Sequence, residues 1–233
     1  MPTDAGSAST SHHGPPPLRA LVAFGPTHEP IDDVRFIGNR SSGRMGAAIA
    51  AALRASGCAV TVVRGPGAPA VEGCAATRVT TAADLLAALR SAWPEHDLLV
   101  MAAAVADFRP ASRQSGKMRR DSGAQTLALV PTEDILAGLA GSRRPGQYVV
   151  GFALERPEEL APSALAKLER KRADAIVANP LETMDAADVD GRLLFAGGAA
   201  ASPPGGRMAK DRFAHWLAAE ILPRAEARRR GEG

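Results

Sequence analysis

Short apolar runs rich in branched residues alternate with alanine-rich helical stretches along most of this chain, and that alternation leaves few folds open. LRALVAF, from Leu18, reads as a buried strand. AAIAAALRASG carries apolar residues at helical spacing and stops at Gly57. AVTVVRG is a second strand, AADLLAALRSAW a second helix and DLLVMAAAVAD a third strand. YVVGFAL and ADAIVANP follow as strands, with the helix ELAPSALAKLERKR between them. DGRLLFAGG reads as a late edge strand, and AKDRFAHWLAAEIL as a closing amphipathic helix. Strands joined through helices of this length imply right-handed parallel crossovers. The expected fold is α/β: a doubly wound, mostly parallel Rossmann-like sheet with a late edge strand or hairpin. Gly25, Pro26 and Pro30 in GPTHEPID are expected to forbid an immediate helix or strand.

Three regions are expected. Residues 1–17 are polar and proline-rich and read as a disordered leader, residues 18–223 as one domain, and residues 224–233 as a basic tail. The chain has 233 residues, enough for one sizeable core. With aromatics at only 4%, that core must be built from Ala, Val, Leu and Ile. Part of the formal net charge of +3 sits between Arg224 and Arg230, a run read as a solvated end, so no nucleic-acid partner is expected. Cys58 and Cys74 have no metal-like spacing and read as small hydrophobes. No metal-ligating cluster is expected. No apolar run reaches membrane-spanning length and no signal peptide is evident, which places the protein in the cytoplasm, away from membranes.

Ligands of open parallel sheets bind outside the carboxyl ends of the strands, and three such ends stand out. After the first strand, VRFIGNRSSGRMG brings Ser41, Ser42 and Gly43 to a helix start, which can hold an anion or simply be a helix capped by a serine. It is no GxGxxG, since Gly25 stands far from Gly43, and the next strand ends in Arg64 rather than a ribose-binding acid. The third strand ends in Met101-Ala102-Ala103-Ala104, where small side chains let a flat ligand approach the backbone, with Asp107 beyond. That stretch is equally readable as small-residue packing with Asp107 as a cap. Downstream, Lys117-Met118-Arg119-Arg120 is a basic loop, either a solvated face or a clamp for a polyphosphate. Lys167 and Lys171 share one helix face.

Taken jointly and in order, GPTHEPID, VRFIGNRSSGRMG, TVVRGP, AAAVADFRP, KMRR, EDILAGLA, YVVGFALE and KLERKRADAIVAN resemble the phosphopantothenate–cysteine ligase family, that is, the synthetase half of the bifunctional decarboxylase/synthetase flavoprotein. The likeness spans Leu18 to Asn179 and loosens from Pro180. It implies a ligase joining 4′-phosphopantothenate to L-cysteine in coenzyme A biosynthesis, with CTP rather than ATP and Mg²⁺, through an acyl-cytidylate. It implies Asn39 and Lys117 as catalytic residues. Arg35, Asn39, Ala103 and Ala104 would meet the acyl substrate. Ser41, Ser42, Gly43, Met101, Ala102, Ala103, Asp107 and Lys117 would meet the nucleotide, together with Glu133, Asp134, Ile135, Leu136, Phe152, Lys167 and Lys171. A homodimer is implied. So is a separate decarboxylase partner, with no flavin on this chain, because only a short polar stretch precedes Leu18.

The sequence departs from the family pattern at Gly38, where a serine is usual, and at Pro131-Thr132-Glu133, where Lys-Asn-Pro is common. Those departures keep open a non-catalytic nucleotide-binding homologue, and the separate location of any decarboxylase partner leaves room for a ligase of the same mechanism acting on a related carboxylate. A nicotinamide or flavin oxidoreductase is disfavoured by the missing glycine fingerprint and ribose acid.

Overall fold

The computed structural model describes residues 16–119, 123–156, 160–183 and 186–232. The expected leader therefore falls almost wholly outside the described residues, as does Arg120 of the basic loop. An eight-stranded sheet forms the centre. Its six parallel strands are β1 (Arg19–Pro26), β4 (Ala59–Arg64), β5 (Ala75–Arg78), β6 (Leu98–Ala104), β9 (Tyr148–Glu155) and β10 (Ala175–Pro180), in the spatial order β5-β4-β1-β6-β9-β10. Beyond β10, β12 (Arg192–Phe195) and β13 (Ala200–Ala201) close the edge antiparallel, the late hairpin the sequence foreshadows. The expected doubly wound α/β fold is therefore the observed one.

Alternation along each strand explains the two layers. On β1, Ala20, Val22 and Phe24 face a core shared with α1 (Arg44–Ala55) and α5 (Lys210–Arg230). Leu21 and Ala23 face the opposite core, with α2 (Ala82–Ala92), α3 (Ile135–Gly141) and α4 (Leu160–Lys171). Because the chain leaves β1 toward β4 on one side and reaches β6 on the other, the strand order reverses between β1 and β6. That reversal opens the crevice where such sheets take ligands.

Several local expectations are corrected. GPTHEPID does contain a strand: β2 (His28–Pro30) pairs antiparallel with β3 (Phe36–Gly38). Pro30 is tolerated because it ends a two-stranded ribbon, where its missing N–H costs no ladder bond within a sheet. A second ribbon joins β7 (Phe108–Pro110) to β8 (Leu129–Pro131). Neither Ser41 nor Ser42 caps α1; the cap position is Gly43, in the left-handed region at φ 69°. Ser41 Oγ instead accepts from the Gly43 N–H at 3.3 Å.

The basic run from Arg224 is not a tail but the end of α5, which continues past Pro223 to Arg230. Arg228 and Arg143 both pair with the buried carboxylate of Asp174, at 2.7 and 2.6 Å, and Val149 N–H donates to the same group. Arg224 lies over the Phe195 ring, 3.9 Å from its centroid. A helix end held by a buried carboxylate is part of the domain.

Candidate active site

Gly25 meets Gly43 and Gly46, distant from it in sequence, at the carboxyl end of β1. Gly25 turns out of the strand at φ 87°, and a side-chain carbon on it would meet Ala68 at 2.8 Å. The same atom on Gly43 would lie 2.7 Å from Ala68 and 3.2 Å from Gly25, and on Gly46 it would lie 2.1 Å from Phe24. Together they let the start of α1 sit directly on β1, the work a glycine fingerprint does in dinucleotide-binding folds. Here the residues of β2, β3 and their turn are inserted between the first glycine and the other two. Arg64, where a ribose acid would stand, folds back to donate to Ala68 O at 2.6 Å. Both facts bear against a nicotinamide site.

Two cavities open above this junction. The smaller, about 200 Å³, is walled by Ser41, Ser42 and Gly43 at the α1 start and by Ala102, Ala103 and Ala104 of β6, with Phe152 behind. Its α1 amides have no side-chain cap and no acidic residue in the first turn, so they are open to an anion. The larger, about 740 Å³, takes in Asn39, Met101, Asp107 and the stretch Glu133, Asp134, Ile135 and Leu136, with Lys167 and Lys171. Phe152, Ala103 and Ala104 border both, so the two form one cleft.

The floor of the cleft is the loop after β6, held from three sides. Asn39 Nδ2 donates to Val105 O at 2.8 Å, Thr27 Oγ1 accepts from Ala106 N–H at 3.0 Å, and Thr132 Oγ1 donates to Ala106 O at 2.6 Å. An amide nitrogen has two hydrogens, so Asn39 keeps one donor and its carbonyl oxygen for a ligand. The buried Thr27 and the Thr132 hydroxyl escaped the sequence reading, because nothing local marks a threonine whose partner is in another loop.

Lys167, Lys171, Glu133 and Asp134 of the larger cavity are each ion-paired. Lys167 contacts Glu155 at 2.6 Å and Lys171 contacts Asp134 at 3.2 Å. Glu133 is ion-paired with Arg90. Burial works to raise the Glu155 carboxyl, but hydrogen bonds from Lys167 and Ser163 bring it below its ordinary value. Asp134 also caps α3 by accepting from Ala137 N–H at 3.1 Å.

Arg35 and Lys117 line neither cavity; Arg35 instead contacts Met118, the residue after Lys117. Asp32, 2% exposed, accepts from the N–H groups of Val34, Arg35 and Met118 and from the Arg35 guanidinium. Burial works to raise its carboxyl, but those donors hold it well below the usual carboxylate range. Arg35 also donates to Met118 O at 3.3 Å. Asp33 accepts from Arg113 and from Gly116 N–H, and these bonds lower its carboxyl too. The exposed Lys117 thus rides on a loop fastened on both sides of it.

A profile of the family described as DNA/pantothenate metabolism flavoprotein C-terminal domain matches residues 17–224. The chain belongs to this family. It is 40% identical over 195 residues to the coenzyme A biosynthesis bifunctional protein CoaBC of Mycolicibacterium smegmatis, a match covering 78% of this chain and 47% of that protein. It is 45% identical over 166 residues to a cysteine/cysteine sulfinic acid decarboxylase of an unknown prokaryotic organism, covering 70% of this chain and 46% of that protein. The chain therefore spans about half the length of the curated relatives it matches. Among solved structures, the C-terminal domain of a CoaBC protein superimposes with a TM-score of 0.75 at 31% identity, covering 90% of this chain and 96% of that one. The family's synthetase-type domain is thus the part present here. Among the described residues no group of three or more His, Cys, Asp or Glu could hold a metal, and no helix is long and apolar enough to cross a membrane.

Proposed function

We propose that this protein is a phosphopantothenate–cysteine ligase that uses CTP, and that it acts in the cytoplasm in coenzyme A biosynthesis. The observation that carries the reading is the divided cleft: an acid-free anion pocket at the α1 start, continuous past Phe152 with a chamber onto which Asn39 opens. A nucleoside triphosphate placed across it lays its phosphates on the Ser41–Gly43 amides and its base and ribose toward Asp107, Ile135, Leu136 and the paired lysines.

The reaction follows. A carboxylate oxygen of 4′-phosphopantothenate bonds to the α-phosphorus, and the bond to the bridging oxygen breaks, its electron pair leaving with pyrophosphate. The neutral amine of L-cysteine then attacks the acyl carbon, the bond from that carbon to the phosphate oxygen breaks and CMP departs, and the nitrogen gives up a proton to solvent. The first step needs no general base, because a carboxylate is ionised at neutral pH. Charge builds on the leaving phosphates, and fixed donors stabilise it. Asn39, anchored by one N–H, aims the other at the acyl oxygen, and Lys117 and Arg35, held beside the cleft, supply positive charge toward the triphosphate and the acyl substrate. Mg²⁺ would supply further charge neutralisation. The sparse protein donors fit an ion held mainly by phosphate oxygens and water, with Asp107 as a nearby carboxylate.

Val34, Phe36, Phe108 and Leu129 on the two small ribbons are each close to half exposed or more. An apolar face of this kind suits a self-complementary homodimer; a monomer in sedimentation would remove that part. A decarboxylase carried elsewhere would supply the step that consumes the product.

The deciding experiment incubates folded protein with 4′-phosphopantothenate, L-cysteine, Mg²⁺ and either CTP or ATP, and follows pyrophosphate. Release with CTP is expected. Silence with both nucleotides overturns the ligase reading, and release with ATP alone overturns the choice of nucleotide.

A further inference from the structure

Glu29 carries a carboxylate that is 3% exposed, on a strand of only three residues. Burying such a group is costly unless it is hydrogen-bonded. Its Oε1 accepts from the N–H of Ala82, the first residue of α2, at 2.7 Å. The helix does not depend on that bond. Thr81 Oγ1 accepts from Asp84 N–H at 3.1 Å and Asp84 accepts from Thr81 N–H at 2.9 Å, a reciprocal cap complete without Glu29. The member in need is the ribbon, because two short strands paired only with each other are marginally stable. It meets the α2 start a second time where His28 N–H donates to Thr80 O at 2.7 Å. Within the ribbon, Glu29 stands opposite Ile37 and His28 opposite Gly38. The two fastened residues therefore face the two that lead into Asn39, whose side chain reaches the cleft floor at Val105 O.

We propose that Glu29 is a positioning residue: by tying the β2–β3 ribbon to α2 it fixes where Asn39 stands over the cleft. It touches no substrate and moves no proton. Its effect on rate rests on the ligase reading above; the tie itself does not.

Turnover and amide hydrogen exchange on Glu29→Ala test it. A small misplacement of a group that orients substrate predicts kcat lower by about 10-fold or more. KM for CTP should hold, because the Ser41–Gly43 stretch is seated by the glycine junction rather than by the ribbon. Glu29→Gln keeps an acceptor oxygen for Ala82 and should recover most of the rate. In an Asn39→Ala background, Glu29→Ala should cause no further loss; an additive loss overturns the proposal. Leu89→Val, at the buried far end of α2, lowers the melting temperature without touching the ribbon and should leave kcat unchanged. An equal fall in kcat there would mark the Glu29 effect as general destabilisation and overturn the proposal as well. Without substrate, exchange should quicken across residues 36–39 in Glu29→Ala while α2 stays protected; unchanged exchange overturns the tie. Should Glu29→Ala not fold, Ala82→Pro deletes the same bond from the donor side, since proline suits a first helical position after the extended Thr81. A wild type that ligates with neither nucleotide removes the ligase reading, and the exchange contrast then decides the tie alone.

Discussion

The carboxylate of Asp32 accepts the backbone N–H of Met118 at 3.1 Å, joining the turn after β2 to the residue that follows Lys117. With Arg35 bonding the Met118 carbonyl as well, the peptide beside Lys117 is gripped at both its donor and its acceptor. Asp32→Ala should therefore slow pyrophosphate release strongly and lower the melting temperature, because three backbone N–H groups lose their acceptor, while leaving CMP affinity little changed. A loss of CMP binding equal to the loss of rate would show that Asp32 supports the whole cleft instead. The carboxyl is depressed in the folded protein, so its contribution is complete above the ordinary carboxylate value of about 3.9 and is lost only as pH falls below it. Between pH 5 and 8 the Asp32 anchor should contribute no pH dependence to the rate.

Gly38 looks from sequence like a lost serine hydroxyl, but in the structure a side-chain carbon there would sit 2.7 Å from Thr27 O and 3.0 Å from His28 Cδ2. The His28 ring, stacked on Phe36 at 3.7 Å, occupies that side. Thr27 holds the Ala106 amide, so pushing its backbone disturbs the floor of the cleft. Gly38→Ser is expected to cost about 1–3 kcal/mol of stability by overpacking and to lower the ligation rate. Thermal melts and pyrophosphate release check both, and a neutral or improved variant would show that His28 yields freely.

Asn39→Asp replaces a donor to Val105 O with a second acceptor 2.8 Å away. Two oxygens with no hydrogen between them repel, so the side chain must turn out of its anchored position. Product formation should fall by 100-fold or more if about 3 kcal/mol of oriented hydrogen bonding is lost, while nucleotide affinity holds. Normal turnover by this variant would remove Asn39 from the mechanism.

The sheet was legible because β1, β4, β6, β9 and β10 are buried runs bounded by turn residues. Strand β5 was not, since Ala75–Arg78 is exposed throughout and carries neither alternation nor branched bulk beyond Thr77. The glycine junction was hidden by the insertion between Gly25 and Gly43; only Gly43 and Gly46, three apart at a helix start, hinted at it. Resemblance supplied Asn39 and Lys117. It could not supply Asp32, Thr27 or Thr132, whose roles exist only once distant loops meet.

The end of α5 offers the sharpest contrast between the two readings of the basic run. As a solvated tail, residues 224–233 could be removed at a cost within about 0.5 kcal/mol. In the structure their removal takes away Arg228 from Asp174, Arg224 from Phe195 and the fully buried Ala225. Arg143 still neutralises Asp174, and the Arg228 side chain is 36% exposed, so Arg228→Ala alone should cost only about 1 kcal/mol after screening. The full truncation adds lost apolar burial and the cation–ring contact, for about 2–3 kcal/mol in all. Asp174→Ala should cost more, about 3–5 kcal/mol, because it strands two arginines and the Val149 N–H at once. Denaturant titrations of the three variants check this order. The part of the Arg228 effect that is electrostatic should shrink at 1 M salt, whereas the truncation should remain costly; a truncated protein as stable as the whole would return the run to a tail.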